Sequence, residues 1–311
     1  MRGAVLDTKI FERGHTLEEA RRARKLEHIY HAGQEKIWDG HEVLSALITK
    51  HGGLRMSPEH KKATARIFSS LMWGELAAWK ISAQLADGLE SLEARMAATS
   101  QAHDEARHFY VLHDYLEKLE VELPDLDPAT RFLLESVLTT ESLPEKLVGM
   151  QLFIETIAIT MFRTVRELRI EPVLSELLVY YERDESRHIG LGIQHAPELL
   201  RDLSAREFAQ LTAFQTKLLL TALVSLKRLE APLRKLGVDP RSIADEGTQR
   251  LLKVVDDLTD ANQGRKLGVV AGPIVSRSFG AALELTFPRQ GRGGLTHRLF
   301  DAGRALVYDA A

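Results

Sequence analysis

Apolar positions recur along the chain at three- and four-residue spacing, the stripe of an amphipathic helix. Strict alternation of apolar and polar residues, the mark of a half-buried strand, is scarce, and no Asn-Gly or Asp-Gly sits between strand-like runs. The spacing predicts helices over 16–36, 41–51, 58–87, 90–120, 128–140, 143–169, 172–200, 205–236 and 240–258. Their ends are written in the sequence. Ser57-Pro58, Asp127-Pro128, Leu143-Pro144-Glu145, Glu171-Pro172 and Asp239-Pro240 are helix starts, with a polar cap or a proline in the first turn. Asp87-Gly88 and Gly237 are helix ends. From about residue 265 the pattern fades into a Gly- and Arg-rich stretch, expected to wrap the surface or to be partly disordered. The expected organisation is an all-α domain over 1–264, with a bundle core at about 58–200, followed by a tail over 265–311.

Within this pattern one charged pentapeptide occurs twice. Residues 104–108 read DEARH, and residues 184–188 read DESRH. Each contains Glu-x-x-His (Glu105 with His108, Glu185 with His188), and residues three apart on a helix project from one face. Thirty residues before each of these glutamates stands a lone acid in an apolar stretch: Glu75 in LMWGELAAW and Glu155 in MQLFIETIAITMF. The midpoints of the two 30-residue intervals fall beside the turns near residues 90 and 170. If each half is an antiparallel helical hairpin, both of its acids lie ~22 Å from the turn and stand level with one another. Two such hairpins packed together bring four glutamates and two histidines into one layer of a four-helix bundle. That is the ligand set of a carboxylate-bridged dinuclear metal site. The linker from about 120 to 143 must then run the length of the bundle.

Composition narrows the chemistry. The chain has no cysteine, which excludes iron–sulfur clusters, thiolate zinc sites, disulfides and cysteine nucleophiles. Oxygen-rich ligands with two imidazoles suit iron or manganese. The net charge of −3 gives no basic bias toward nucleic acid. The opening residues are polar and lack the apolar core of a signal peptide, and no charge-free apolar run approaches ~18 residues. The expectation is therefore a cytoplasmic protein without a membrane span.

The doubled D-E-x-R-H with its two upstream glutamates resembles the ferritin-like di-iron carboxylate proteins. It is most similar to the branch holding the ribonucleotide reductase small subunit, the reductase-like ligand-binding oxidases and the bacterial multicomponent monooxygenases. The resemblance spans about residues 30–260 and is most specific at Glu75, Glu105, His108, Glu155, Glu185 and His188. It implies a ferritin-like four-helix bundle, extended by further N- and C-terminal helices, around two metal ions (Fe/Fe or Mn/Fe) with O₂ as co-substrate. It also implies an external electron donor and a homodimer. Asp104 would hold the ring of His188, and Asp184 that of His108, because a metal-bound imidazole needs its other nitrogen fixed. The segment KIWDGHEVL at 36–44 is similar to the entry segment of the reductase subunits and ligand-binding oxidases, which would set Trp38 near Asp184 and His108 on an electron path. Tyr181, one turn before Glu185, would face the site and is a candidate electron or proton donor. Arg107 and Arg187 would tie carboxylates together between helices.

The positions that mark each branch differ here. Leu112 stands where the reductase subunit carries its radical tyrosine. Met150 and Ala77 replace the cross-linked pair of the ligand-binding oxidases. Ile159 replaces the threonine of the multicomponent monooxygenases, and Tyr181 the third histidine of the arylamine oxygenases. Leu71, Met72, Trp79, Phe109, Leu112, Phe153, Ile154, Ile159 and Phe162 are expected around the metals, an apolar lining suited to a small hydrophobic substrate. His103, His113 and His195 are expected at the surface. The expected function is an O₂-dependent oxidase or oxygenase of the di-metal carboxylate type. The alternative is iron storage or peroxide detoxification of the ferritin or rubrerythrin kind.

Overall fold

The structure, a computed structural model, describes residues 17–264, 268 and 270–307. The polar opening segment 1–16 therefore lies outside the described residues. Every regular element among those described is helical. In chain order the α-helices are α1 (Leu17–Glu35), α2 (Gly40–His51), α3 (Pro58–Gly88), α4 (Leu92–Glu117), α5 (Pro128–Thr139), α6 (Leu143–Leu147), α7 (Glu155–Leu168), α8 (Pro172–Leu199), α9 (Ala205–Arg228), α10 (Glu230–Lys235), α11 (Pro240–Ala261), α12 (Pro273–Thr286) and α13 (Leu295–Val307). A π-helical stretch, Val148–Ile154, joins α6 to α7 without a break.

The starts expected from the sequence are built as caps. The side chains of Ser57, Asp127, Ser142, Glu171 and Asp239 accept hydrogen bonds from the free backbone N–H groups of the first turns that follow. Proline then occupies the position where a missing N–H costs nothing. Two hairpins, α3 with α4 and the π stretch plus α7 with α8, form the bundle, and α5 connects them along α3 and α9. Their inner faces supply two apolar clusters, one on each side of the buried polar layer. Ile81, Leu85, Leu147 and Leu191 lie in one cluster; Phe68, Leu112, Leu177 and Phe162 lie in the other. The hairpin of α8 against the π stretch is tight because residue 192 is glycine: a Cβ there would come within 2.5 Å of Gln151 Cβ.

Two features depart from the sequence expectations. The helix expected over 205–236 is broken at Leu229, because Pro232 cannot donate to the carbonyl of residue 228 and its ring crowds that turn. The stretch after 265 contains two helices: α12 packs on α9, and α13 packs on α12. Arg241 on α11 fastens α12 by reaching both carboxylate oxygens of Glu284 (3.2 and 3.0 Å) and the carbonyl of Phe287 (2.8 Å). The continuous helix Leu143–Leu168 is apolar and long enough to cross a membrane by length and composition alone. It is mostly buried and serves as a core helix of the bundle.

Candidate metal centre

All six residues singled out as metal ligands come together. Glu75 projects from α3, Glu105 and His108 from α4, Glu155 from the start of α7, and Glu185 and His188 from α8. None is more than 3% exposed. Their ligand atoms form two groups, each within 4.8 Å: Glu75, Glu105, His108 and Glu185 in one, and Glu105, Glu155, Glu185 and His188 in the other. Glu105 and Glu185 belong to both.

The geometry around the imidazoles fits a site for cations. His108 Nδ1 lies 3.3 Å from Glu75, 3.6 Å from Glu105 and 3.2 Å from Glu185. His188 Nδ1 lies 3.0 Å from Glu105, 3.6 Å from Glu155 and 2.9 Å from Glu185. One nitrogen carries at most one proton and cannot satisfy three carboxylates. Glu105 Oε2 and Glu185 Oε1 are buried with no hydrogen-bond partner. Uncompensated buried carboxylates cost several kcal/mol each. A divalent cation in each group meets this demand, so the residues present fit a pair of metal ions.

The outer nitrogens are held as the resemblance implied. His108 Nε2 lies 3.2 Å from Asp184 Oδ2, and His188 Nε2 lies 3.4 Å from Asp104 Oδ2, each across to the other hairpin. Arg187 donates to both aspartates (2.8 Å to Asp184, 2.9 Å to Asp104), and Arg107 does the same (3.1 Å and 2.5 Å). Trp38 Nε1 donates to Asp184 Oδ2 at 2.8 Å, and the Arg107 guanidinium lies over its ring. The Tyr181 ring stacks on His108 with centroids 4.2 Å apart, and its hydroxyl donates to the His108 carbonyl at 2.7 Å. Trp38, Asp184 and His108 thus form one hydrogen-bonded line from the α1–α2 connection to the cluster.

Protonation follows from the same contacts. Burial pushes Glu75 and Glu155 well above the usual carboxylate range. Burial acts on Glu105 in the same sense, but the facing His188 and His108 outweigh it and hold this carboxyl well below that range. Glu185 is lowered too: its burial and the charge of Glu105 are outweighed by the two histidines. Both imidazoles lie well above their ordinary value in spite of burial, because carboxylates surround them. Asp184 stays far below its ordinary value, its burial offset chiefly by His108 and Arg187. The two shared glutamates are thus the carboxyls whose ionised form the surroundings favour, and Glu75 and Glu155 are those where burial opposes it.

Two residues absent from the sequence reading complete the layer. Gln101 Nε2 donates to Glu105 (3.0 Å) and to Glu155 (2.5 Å), and Gln151 Nε2 donates to Gln101 Oε1 (2.7 Å). A signal for them existed: each glutamine stands four residues before a candidate ligand, Glu105 or Glu155. Two expectations need correction. Trp79 is about two-fifths exposed on the outer face of α3, away from the centre. His195 is buried rather than at the surface, with Nδ1 3.4 Å from Glu198, because it lies on the inward face of α8.

A cavity of about 1250 Å³ opens beside the cluster. Glu75 and Glu155 stand in its wall, with Leu71, Phe153 and Ile154 of the expected lining. Residues of α9, α11, α12 and α13 line it as well, among them Arg289, Arg298 and Arg304.

A helical bundle with a buried carboxylate–histidine centre defines a ferritin-like architecture, and comparison with known proteins agrees. No protein-family model matches the chain, and no curated protein does. Among solved structures, it is similar to a Synechococcus protein with aldehyde deformylating oxidase activity. The identity is 21% and the TM-score 0.54, over 67% of this chain and 96% of that one. It is also similar to a variant of an R2-like ligand-binding oxidase with an aerobically reconstituted Mn/Fe cofactor. There the identity is 16% and the TM-score 0.59, over 75% of this chain and 93% of the other. These likenesses establish the fold, a ferritin-like helical bundle.

Proposed function

We propose that the chain is a non-haem dinuclear-metal oxidase or oxygenase that uses O₂ to oxidise a small hydrophobic molecule. The observation that carries this reading is the pair of overlapping ligand groups sharing Glu105 and Glu185. Its similarity to two oxidase structures supports the same reading. Glu75, Glu105, His108 and Glu185 would hold one ion, and Glu105, Glu155, Glu185 and His188 the other, as Fe/Fe or Mn/Fe. When bound and reduced, such a pair supplies electrons for the reduction of O₂.

The chain's own residues do the rest. Asp104 and Asp184 fix the orientation of the two imidazoles, and Arg107 and Arg187 hydrogen-bond both aspartates and keep them in place. Gln101 sets the rotamers of Glu105 and Glu155. The apolar wall around Leu71, Phe153 and Ile154 limits water near the centre and accepts a hydrophobic chain. The Trp38–Asp184–His108 line is the route by which an external donor would reduce the centre. With Leu112 buried where the reductase subunits carry a tyrosine, no radical tyrosine is assigned to that position.

The deciding experiment is O₂ uptake by the metal-loaded protein. The expected result is uptake that needs both a reductant and a hydrophobic substrate, with about two metals per chain. A cage-sized assembly taking up many irons per chain would replace this reading with iron storage.

A further inference from the structure

The last helix is folded with its apolar side outward. Along α13, Leu295, Leu299, Phe300, Leu306 and Val307 share one broad face and are each between 54% and 70% exposed. The opposite face, with Arg298, Asp301 and Ala305, lines the cavity, and Ala302 is buried. A helix on a globular surface normally does the reverse. Ile274 at the start of α12 adds a further apolar side chain, 67% exposed.

Charge decides what covers this face. Residues 265–311 hold seven Arg and Lys against three Asp and Glu, while the whole chain holds 41 against 44. Of the two acids among the described residues of this segment, Glu284 is paired with Arg241 and Arg289, and Asp301 with Arg292. A second copy docking about a two-fold axis would set this positive segment against itself. An anionic lipid layer instead accepts the apolar face and attracts the arginines beside it.

We infer that the α12–α13 unit docks the protein on an anionic lipid surface. Docking itself stands apart from the metal chemistry and is measured without it.

The test is flotation of the full chain with vesicles of phosphatidylglycerol and phosphatidylcholine, compared with phosphatidylcholine alone. The wild type is expected to float with the anionic vesicles, less so as salt rises. Leu299→Ser with Phe300→Ser, and separately Arg304→Glu, should each weaken binding at least ~10-fold. Val179→Ser, at an exposed apolar position on α8, should bind as the wild type does. Unchanged melting temperatures show that the variants fold. Absence of wild-type flotation, equal binding to neutral vesicles, or variants that bind as the wild type does would overturn the inference. So would a dimer that Leu299→Ser with Phe300→Ser dissolves while no vesicle is bound, since the face would then belong to a second copy.

Discussion

At the scale of residues, the centre is ordered by what each carboxylate faces. Glu105 and Glu185 face both imidazoles, which lower their pKa values, whereas burial raises those of Glu75 and Glu155 on the cavity side. Metal uptake therefore competes with protons at Glu75, Glu155, His108 and His188. Because both imidazole pKa values are raised in the metal-free protein, protons compete up to a pH above the ordinary histidine range. Apparent metal affinity should rise with pH through and beyond neutrality, with protons released on loading, as a pH-indicator titration would show. Affinity independent of pH would contradict this. The aspartates act through the imidazoles they hold, so Asp184→Asn should weaken metal binding by roughly 10- to 100-fold while the fold persists. Competition with a chelator measures it, and an unchanged affinity would remove Asp184 from the site.

Much of this layer was legible before any coordinates. The 30-residue interval placed Glu75 level with Glu105, and Glu155 with Glu185, because helix rise is nearly constant. The pairing of Asp104 with His188 and Asp184 with His108 was legible only through resemblance. Gln101 and Gln151 were missed although their spacing repeats, because a glutamine carries no charge to mark it as a partner of the ligands. His195 was misplaced although it stands seven residues, two helical turns, after His188 and so shares the inward face of α8.

At the scale of elements, helix starts were legible wherever a capping side chain and a proline coincide, as at Asp127-Pro128 and Asp239-Pro240. The π stretch at Val148–Ile154 was not, because its wider turn leaves no compositional mark. It ends at Glu155 and carries Gln151, so the backbone irregularity lies where the centre is built. The helices of the C-terminal segment were hidden by their glycines and arginines, and a tertiary contact settles them: Arg241 grips Glu284 across α11 and α12. Burial disfavours the charged form of Glu284, but Arg241 and Arg289 prevail and lower its pKa. A carboxyl lowered by folding adds stability above its unfolded pKa of about 4.3 and loses it as pH falls through the folded value. Amide exchange in α12 should therefore accelerate in acid below about pH 4, and Glu284→Gln should exchange fast at neutral pH with less further change in acid. Slow exchange of α12 in that variant at neutral pH would show that the contact does not hold the helix.

At the scale of the whole molecule, two helical hairpins form the centre, and the added C-terminal helices line part of the cavity beside it. The bundle supplies ligands from four helices, which no single segment could hold at this spacing. One cavity is lined both by Glu75 and Glu155 of the centre and by residues of α12 and α13. The claim on which all of this rests is that two metal ions share Glu105 and Glu185. Elemental analysis of the reconstituted protein, joined to anomalous diffraction at the iron and manganese edges, tests it most directly. Two ions per chain, each in contact with both Glu105 and Glu185, are the predicted result. A single ion, none, or ions bound away from these six side chains would contradict it.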